Sequence, residues 1–440
     1  SPVRSAVQKG MISMETIDQR VREVLTNKFR MGLFDNPYTG DGKVANAEAG
    51  CDNQIPFIDQ VQSEAMVLLK NADNLLPLDK QKIRKVLVAG PLAAETNFMQ
   101  SRYGPSELNC ISMVQGLSDY LGADRVIYEK GCDVFDKHWP ESEIIHEPLT
   151  AEEQDGINRA VAAAKDVDVI VACLGEDDKT TGEGRSRTSL DLPGRQQQLL
   201  EALYATGKPL VLVLVNGQPL TINWANKYVP SILETWFPSY RGGAVVAKML
   251  FGELVPSGKL PITFPKSIGE VEYNFPYKRG SHNGASWSWY VTKTRVNGAL
   301  YPFGYGLSYT SFKYENLSIK NNMKLSENLH TEGATGTIEV SVDITNTGAY
   351  DGEEIVQLYV SDLVASLTTY ESVLRGFERV ALKKGETKTV HFTLHPEALQ
   401  LLDKDMQWVV EPGEFEIRIG ASSEDIKLKQ SLLITCDEAL

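Results

Sequence analysis

The sequence predicts an α/β domain, an αβα sandwich on a mostly parallel sheet, followed by an all-β sandwich. Three observations carry this. Between residues 55 and 275, strand-length runs that are apolar on both faces alternate with amphipathic helical stretches, the pattern of a parallel sheet covered on both sides. From Phe312 onward the period falls to two and turn signals recur at short intervals, as in a β-sandwich. Between them, 276–311 is rich in aromatic residues and glycine without a clean period, and reads as a connection packed on the first domain. With 440 residues, 42% hydrophobic and 23% charged, the composition is that of a soluble globular chain with room for two or three domains of ~100–200 residues.

The elements come in this order. "ISMETIDQRVREVLTNKFRMGLFDNPY" reads as one amphipathic helix within a first segment, 1–39. Ser13 caps it, Ile17, Val21, Val24, Leu25 and Phe29 share a face, and Gly32 ends it. That stripe requires a larger body to cover it. Residues 40–54 are polar and glycine-bearing and read as a linker. A helix is expected from about Ile58 to Lys70. Strand "RKVLVAG", helix "ISMVQGLSDYLG", strand "DRVIYEKG" and helix "AEEQDGINRAVAAAKDV" come next, the last opened by a Thr150/Glu153 capping box. Strand "DVIVACLGE", helix "PGRQQQLLEALYATG", strand "KPLVLVLVNGQP" and helix "GGAVVAKMLFGE" complete the first domain. The all-β pattern occupies 312–440.

Several functions are excluded. A net charge of -14 repels phosphate backbones, so nucleic acid is not an expected partner. The longest apolar run, Pro209 to Val215, is strand length, so no membrane span is expected. The opening residues lack the apolar core of a signal peptide. Five scattered cysteines without CxxC and six histidines without a paired motif make a metal site improbable. GxGxxG, Walker A and GxSxG are absent, which removes the nucleotide and serine-hydrolase readings.

In open α/β sheets ligands bind beyond the carboxyl ends of the strands. The richest such end is "IVACLGEDDKTTGEGRSR", where a long polar loop runs to Pro193. Glu183 lies between Gly182 and Gly184, where backbone can approach a ligand closely. Composition alone favours a solvated glutamate beside surface arginines. A general acid on a loop that closes over a pocket is the alternative. Glu176, at the strand end, reads as an organiser of the loop. Arg102 and Tyr103 in "SRYGPSE" present a cation and a ring to a sugar or form an ordinary turn. Trp287 and Trp289 in "SWSWYV" stack on a sugar or pack an interface.

"GEGRSRTSLDLPGRQQQLLEAL" resembles family 3 glycoside hydrolases, the β-glucosidase group. "SEAMVLLKNADNLLPL", "KVLVAGPLA", "VLVLVNGQPL", "FGELVPSGKLPITFPKS" and "YPFGYGLSYTSFKYENLSI" match in the family's order. The tail from "LRGFERVALKKGETKTVHFTL" is similar to the fibronectin III-like domain that ends many members. The segment 1–39 is similar to the last helix of, and exit from, the family's N-terminal TIM-like barrel. The resemblance implies a retaining, exo-acting β-glycosidase, β-glucosidase- or β-xylosidase-like, with an active site between barrel and sandwich. It implies Glu183 as acid/base and an aspartate nucleophile in the barrel, in a Ser-Asp-Trp-like motif that occurs nowhere here. Arg102, Tyr103 and Arg187 are the expected substrate-binding residues; the other role open to Arg187, and to Arg185, is to position the loop or a neighbouring carboxylate. No cofactor is implied; the partners are a β-linked oligosaccharide or β-glycoside and the barrel itself. A periplasmic or secreted location is implied by the same resemblance, and the fragment alone is expected to be inactive. The other function compatible with these residues is a non-catalytic carbohydrate-binding or interaction module. One departure is visible: where the family often has Pro-Gly-Glu-x-Gly-Gly, this chain reads "WFPSYRGG", Trp236 to Gly243.

Overall fold

A computed structural model of the chain describes residues 2–38, 40, 42–48, 52–97, 103–104, 109–270, 274–278 and 298–436. Two compact units divide at Phe57/Ile58. The first holds α1 (Pro2–Gln8), α2 (Met14–Arg30) and α3 (Gly42–Glu48). Ser13 accepts the amide hydrogen of Thr16 at the start of α2. Gly32, at φ 68, and Leu33 donate to the carbonyls of Phe29 and Lys28 and close the helix with a Schellman turn. The apolar stripe is open, with Val21, Val24, Leu25 and Phe29 between 40% and 66% exposed. The segment 40–54, read as a linker, carries α3.

The second unit begins along α4 (Ile55–Ala65) and is built on a six-stranded sheet. Its strands are β1 (Val67–Asn71), β2 (Val86–Ala89), β3 (Val126–Glu129), β4 (Val169–Gly175), β5 (Leu210–Val215) and β6 (Ser231–Glu234), in the order β1-β6-β5-β4-β2-β3. All are parallel except β1, which pairs antiparallel with β6. This corrects the expected helix over 58–70: it stops at Ala65, and Val67–Asn71 is a strand. A short apolar run is periodically ambiguous; here full burial of Met66 to Leu69 and pairing with β6 decide for the strand.

The central strands need apolar side chains on both faces. Leu210, Leu212 and Leu214 of β5 enter one core, and Val211, Val213 and Val215 the other. Helices α5 (Met113–Leu121), α6 (Ala151–Ala163), α7 (Gln196–Tyr204), α8 (Asn223–Tyr228) and α9 (Gly242–Leu250) supply the covering faces. Each buried aliphatic side chain contributes ~1.5–3 kcal/mol. The capping box opening α6 is formed in both directions, Thr150 to Glu153 and back.

The sandwich has a four-stranded sheet, β10-β9-β14-β15, facing a three-stranded one, β11-β8-β7, with a small hairpin, β12-β13. The strands are β7 (Phe312–Asn321), β8 (Ile338–Asn346), β9 (Gly352–Asp362), β10 (Val373–Leu382), β11 (Thr387–Leu394), β12 (Leu401–Leu402), β13 (Trp408–Val409), β14 (Gly413–Gly420) and β15 (Ile426–Ile434). Alternating residues Ile338, Val340, Val342 and Ile344 of β8 fill the space between the sheets. The connection joins both domains. Leu307 donates to the Leu68 carbonyl on the outer edge of β1 (2.9 Å). Tyr305 reaches Leu69, and Gln357 of the sandwich donates to the Gly304 carbonyl (3.0 Å). Lys259 pairs with buried Glu354 across the same junction at 3.0 Å.

Candidate active site

The carboxyl ends of β4, β5 and β6 form one edge, and polar side chains gather there. Gly175 closes β4 at φ 143, and a Cβ on it would meet the Val215 carbonyl oxygen at 2.0 Å, so the strands approach closely only with glycine there. Gln196 at the start of α7 accepts from the Gly175 N–H and donates to its carbonyl, both at 2.8 Å.

Glu176, fully buried, organises the loop that leaves β4. Its carboxylate accepts from Arg187 Nη1 (2.8 Å), Gln218 Nε2 (2.7 Å), Thr181 Oγ1 (3.3 Å) and the Gly217 N–H (3.4 Å). The Arg187 side chain is 3% exposed. Its second nitrogen reaches Glu143 Oε1 (3.0 Å) and the Asp191 carbonyl (2.7 Å). Arg187, expected to touch substrate, therefore spends its guanidinium on two carboxylates at the root of the loop. Burial pushes the Glu143 carboxyl up, but hydrogen bonds from Thr188 and Trp139 and the Arg187 charge outweigh it and hold it below the usual range. The far end of the loop is tied to the turn after β5: Thr221 bonds to the Leu190 carbonyl through its N–H and to Asp191 through its hydroxyl.

Above this root the chain turns tightly. Arg185 N–H donates to the Gly182 carbonyl (3.1 Å), with Gly184 at φ 72 in the third position of the turn. Only glycine readily takes that conformation in a type II turn. Glu183 stands exposed at the tip, and its N–H donates to Tyr103 Oη at 2.6 Å. Two residues expected at the site, 80 positions apart, are thus brought together. Arg102, Trp287 and Trp289 lie outside the described residues. Arg185 is exposed.

Sequence reasoning missed a second buried carboxyl. Glu234 ends β6 with 0% exposure, accepting from the Trp236 N–H (2.7 Å) and Asn216 Nδ2 (3.1 Å). Burial pushes it up to about 8, against those hydrogen bonds, and the nearby Glu176 charge pushes the same way. The Asn216 Oδ1 atom is buried without a partner among the described residues. A visible signal existed: Glu234 is a charged residue within the buried run "SILETW". Glu143, in a single 3-10 turn over Glu141–Glu143, carried none. In "WFPSYRGG", Trp236 and Ser239 take φ 55 and φ 60, and Arg241 forks onto Asp59 (2.8 and 3.1 Å). No group of three potential metal ligands occurs among the described residues, and no described helix is long and apolar enough to cross a membrane.

The profile of the glycosyl hydrolase family 3 C-terminal domain matches residues 66–309, more than half of the chain. The chain belongs to glycosyl hydrolase family 3. A fibronectin type III-like profile matches 354–423 in the sandwich. Among curated family 3 relatives, a β-xylosidase of Formosa agariphila is 39% identical over 97% of this chain and 56% of its own length. A periplasmic β-glucosidase of Salmonella typhimurium is 36% identical over 96% of this chain and 56% of its own. A β-glucosidase from Erythrobacter marinus superposes with a TM-score of 0.83 at 33% identity, covering 98% of this chain and 57% of that one. The β-glucosidase of Listeria innocua, in complex with isofagomine, gives 0.81 at 29%, with coverage of 98% and 57%. The chain spans about half the length of the relatives it matches.

Proposed function

We propose that this chain is the C-terminal part of a retaining, exo-acting β-glycosidase and that Glu183 is its acid/base. The observation that carries this is the seat of Glu183. It stands on a glycine turn at the carboxyl edge of the sheet, its peptide held by Tyr103, and the loop is rooted in the buried Glu176–Arg187–Glu143 cluster. The names of the family 3 relatives supply the substrate class, terminal β-linked glucose or xylose. The periplasmic relative suggests a periplasmic or secreted location.

A retaining enzyme needs a second carboxylate ~5–5.5 Å from the acid, acting as nucleophile. In this reading it comes from the barrel domain, which also supplies most of the sugar contacts. Glu183 first protonates the departing glycosidic oxygen as the nucleophile attacks the anomeric carbon. The resulting carboxylate then takes a proton from water, which displaces the enzyme carboxylate and releases the sugar with retained configuration. In this reading, cover by the barrel excludes bulk water from the reacting groups. Glu176 and Arg187 are positioning residues.

The test uses the complete protein. Glu183→Ala should depress hydrolysis of poor leaving groups by ~10²–10⁴-fold, while azide restores turnover of activated aryl β-glycosides by forming the glycosyl azide. Unchanged activity in this variant would shift the role to another carboxyl, Glu176 first. The 440-residue chain by itself should not turn over aryl β-glucosides; turnover without added barrel would refute the split site.

A further inference from the structure

We propose that the fibronectin III-like domain carries a binding cleft for a short β-linked oligosaccharide, centred on Trp408 and Tyr370. A cavity of about 730 Å³ opens at one end of the sandwich. This is within the ~300–1,000 Å³ typical of small-ligand pockets. Its walls come from the loop 363–372, β10 and the β12-β13 hairpin.

The wall chemistry points to a sugar. Trp408 and Tyr370 are 54% and 43% exposed, and neither ring packs on another aromatic among the described residues. Exposed aromatic rings at a cavity mouth favour cover. Thr368, Thr369, Arg375 and Gln400 line the same cavity. Among the described residues, the side chains of these four and the Tyr370 hydroxyl make no hydrogen bond or ion pair. The contrast lies in the same domain, where Asp343 and Glu339 accept from Thr389, Asn316, Thr337 and Thr393. A β-linked hexose or pentose ring has an apolar face of C–H groups and a rim of hydroxyls. The face fits the rings, and the rim fits unspent donors and acceptors. A buried apolar peptide would leave those polar groups unpaired, which disfavours it.

The platform is preorganised. Trp408 pairs across the hairpin with Leu402, and the hairpin tip is locked by Asp403, whose carboxylate accepts from the N–H groups of Asp405 (2.9 Å) and Gln407 (2.8 Å). Tyr370 is pinned by backbone pairing with Lys278, and the adjacent Glu371 N–H donates to the Tyr277 carbonyl (2.9 Å). Binding therefore orders few groups, which preserves affinity.

The choice of β-linked glucose or xylose units rests on the function proposed above, and the test reads binding, so the two can fail separately. Cellotetraose and xylotetraose are titrated into the 440-residue chain by calorimetry. One or both should bind saturably. Trp408→Ala should weaken binding roughly tenfold or more, as for buried aromatic anchors, and Arg375→Ala several-fold, with melting temperatures close to wild type. Glu183→Gln should bind as wild type does. No saturable binding to either sugar overturns the proposal, as does equal binding by Trp408→Ala and Arg375→Ala. Binding lost in Glu183→Gln but kept in Trp408→Ala overturns it too, by placing the sugar at the acid/base loop.

Discussion

Arg187 shows how much one buried cation can organise. It neutralises Glu176 and Glu143 together, with its side chain 3% exposed. Arg187→Met would leave both buried carboxylates without their counter-charge, and such breaks cost ~3–5 kcal/mol. A lower denaturation midpoint, with protease cleavage concentrated in 178–190, is the expected result. Glu234 makes a different prediction. Its folded pKa of about 8 exceeds its ordinary 4.5. Between those values the unfolded chain holds fewer protons than the native one, so stability falls as pH rises through that window. Glu234→Gln, isosteric with the neutral acid, removes the penalty. Melts at pH 5, 7 and 8 should show the variant gaining on wild type at each step; a constant gap would contradict burial of a neutral acid. At this scale the sequence was partly legible. Glu183 stood out through its flanking glycines and its place in a family-ordered series of motifs. The cluster around Glu176 and Arg187 did not, because Glu143 reaches Arg187 from 44 residues before it and Gln218 reaches Glu176 from 42 residues after it, through folding alone.

Among the elements, strands and helices with strong periods were readable, and the errors fall where local pattern is ambiguous. Residues 67–71 form a strand because β6 offers an edge, a fact distant in sequence. Helix α3 occupies a segment too short and polar to announce itself. The junction of β4 with β5 is the most constrained of the strand ends. Gly175→Ala would push a methyl group to within 2.0 Å of the Val215 carbonyl oxygen at a backbone angle that L-residues avoid. The cost should be about 3 kcal/mol or more, read as a drop in melting temperature. It would also part the two strands that present Glu176 and Asn216, so loop order and stability should fall together.

Across the whole molecule, the α/β domain and the sandwich are fastened by the connection rather than merely joined in sequence. Gly304, at φ 80, lies where a Cβ would meet Gln357 Oε1 at 2.1 Å. Gly304→Val should therefore pry the sandwich loose: scanning calorimetry that shows the two domains unfolding together in wild type should show two resolved transitions in the variant. Both domains were legible from their periods, whereas this fastening, made by contacts between residues distant in sequence, had no periodic signature. The same connection has a consequence for how the protein is made. Strand β1 leaves the ribosome well before its neighbours, since β6 comes over 160 residues later and Leu307, which caps the outer edge, later still. At ~5–20 residues per second, the ribosome takes roughly ten to fifty seconds to pass from Leu68 to Leu307. Until β6 is made both edges of this apolar strand are unpaired, and until Leu307 is made its outer edge still is; such a chain is the species that chaperones hold and that aggregates recruit. A nascent chain arrested before Tyr309 should remain a chaperone client, and release should come with synthesis of the connection.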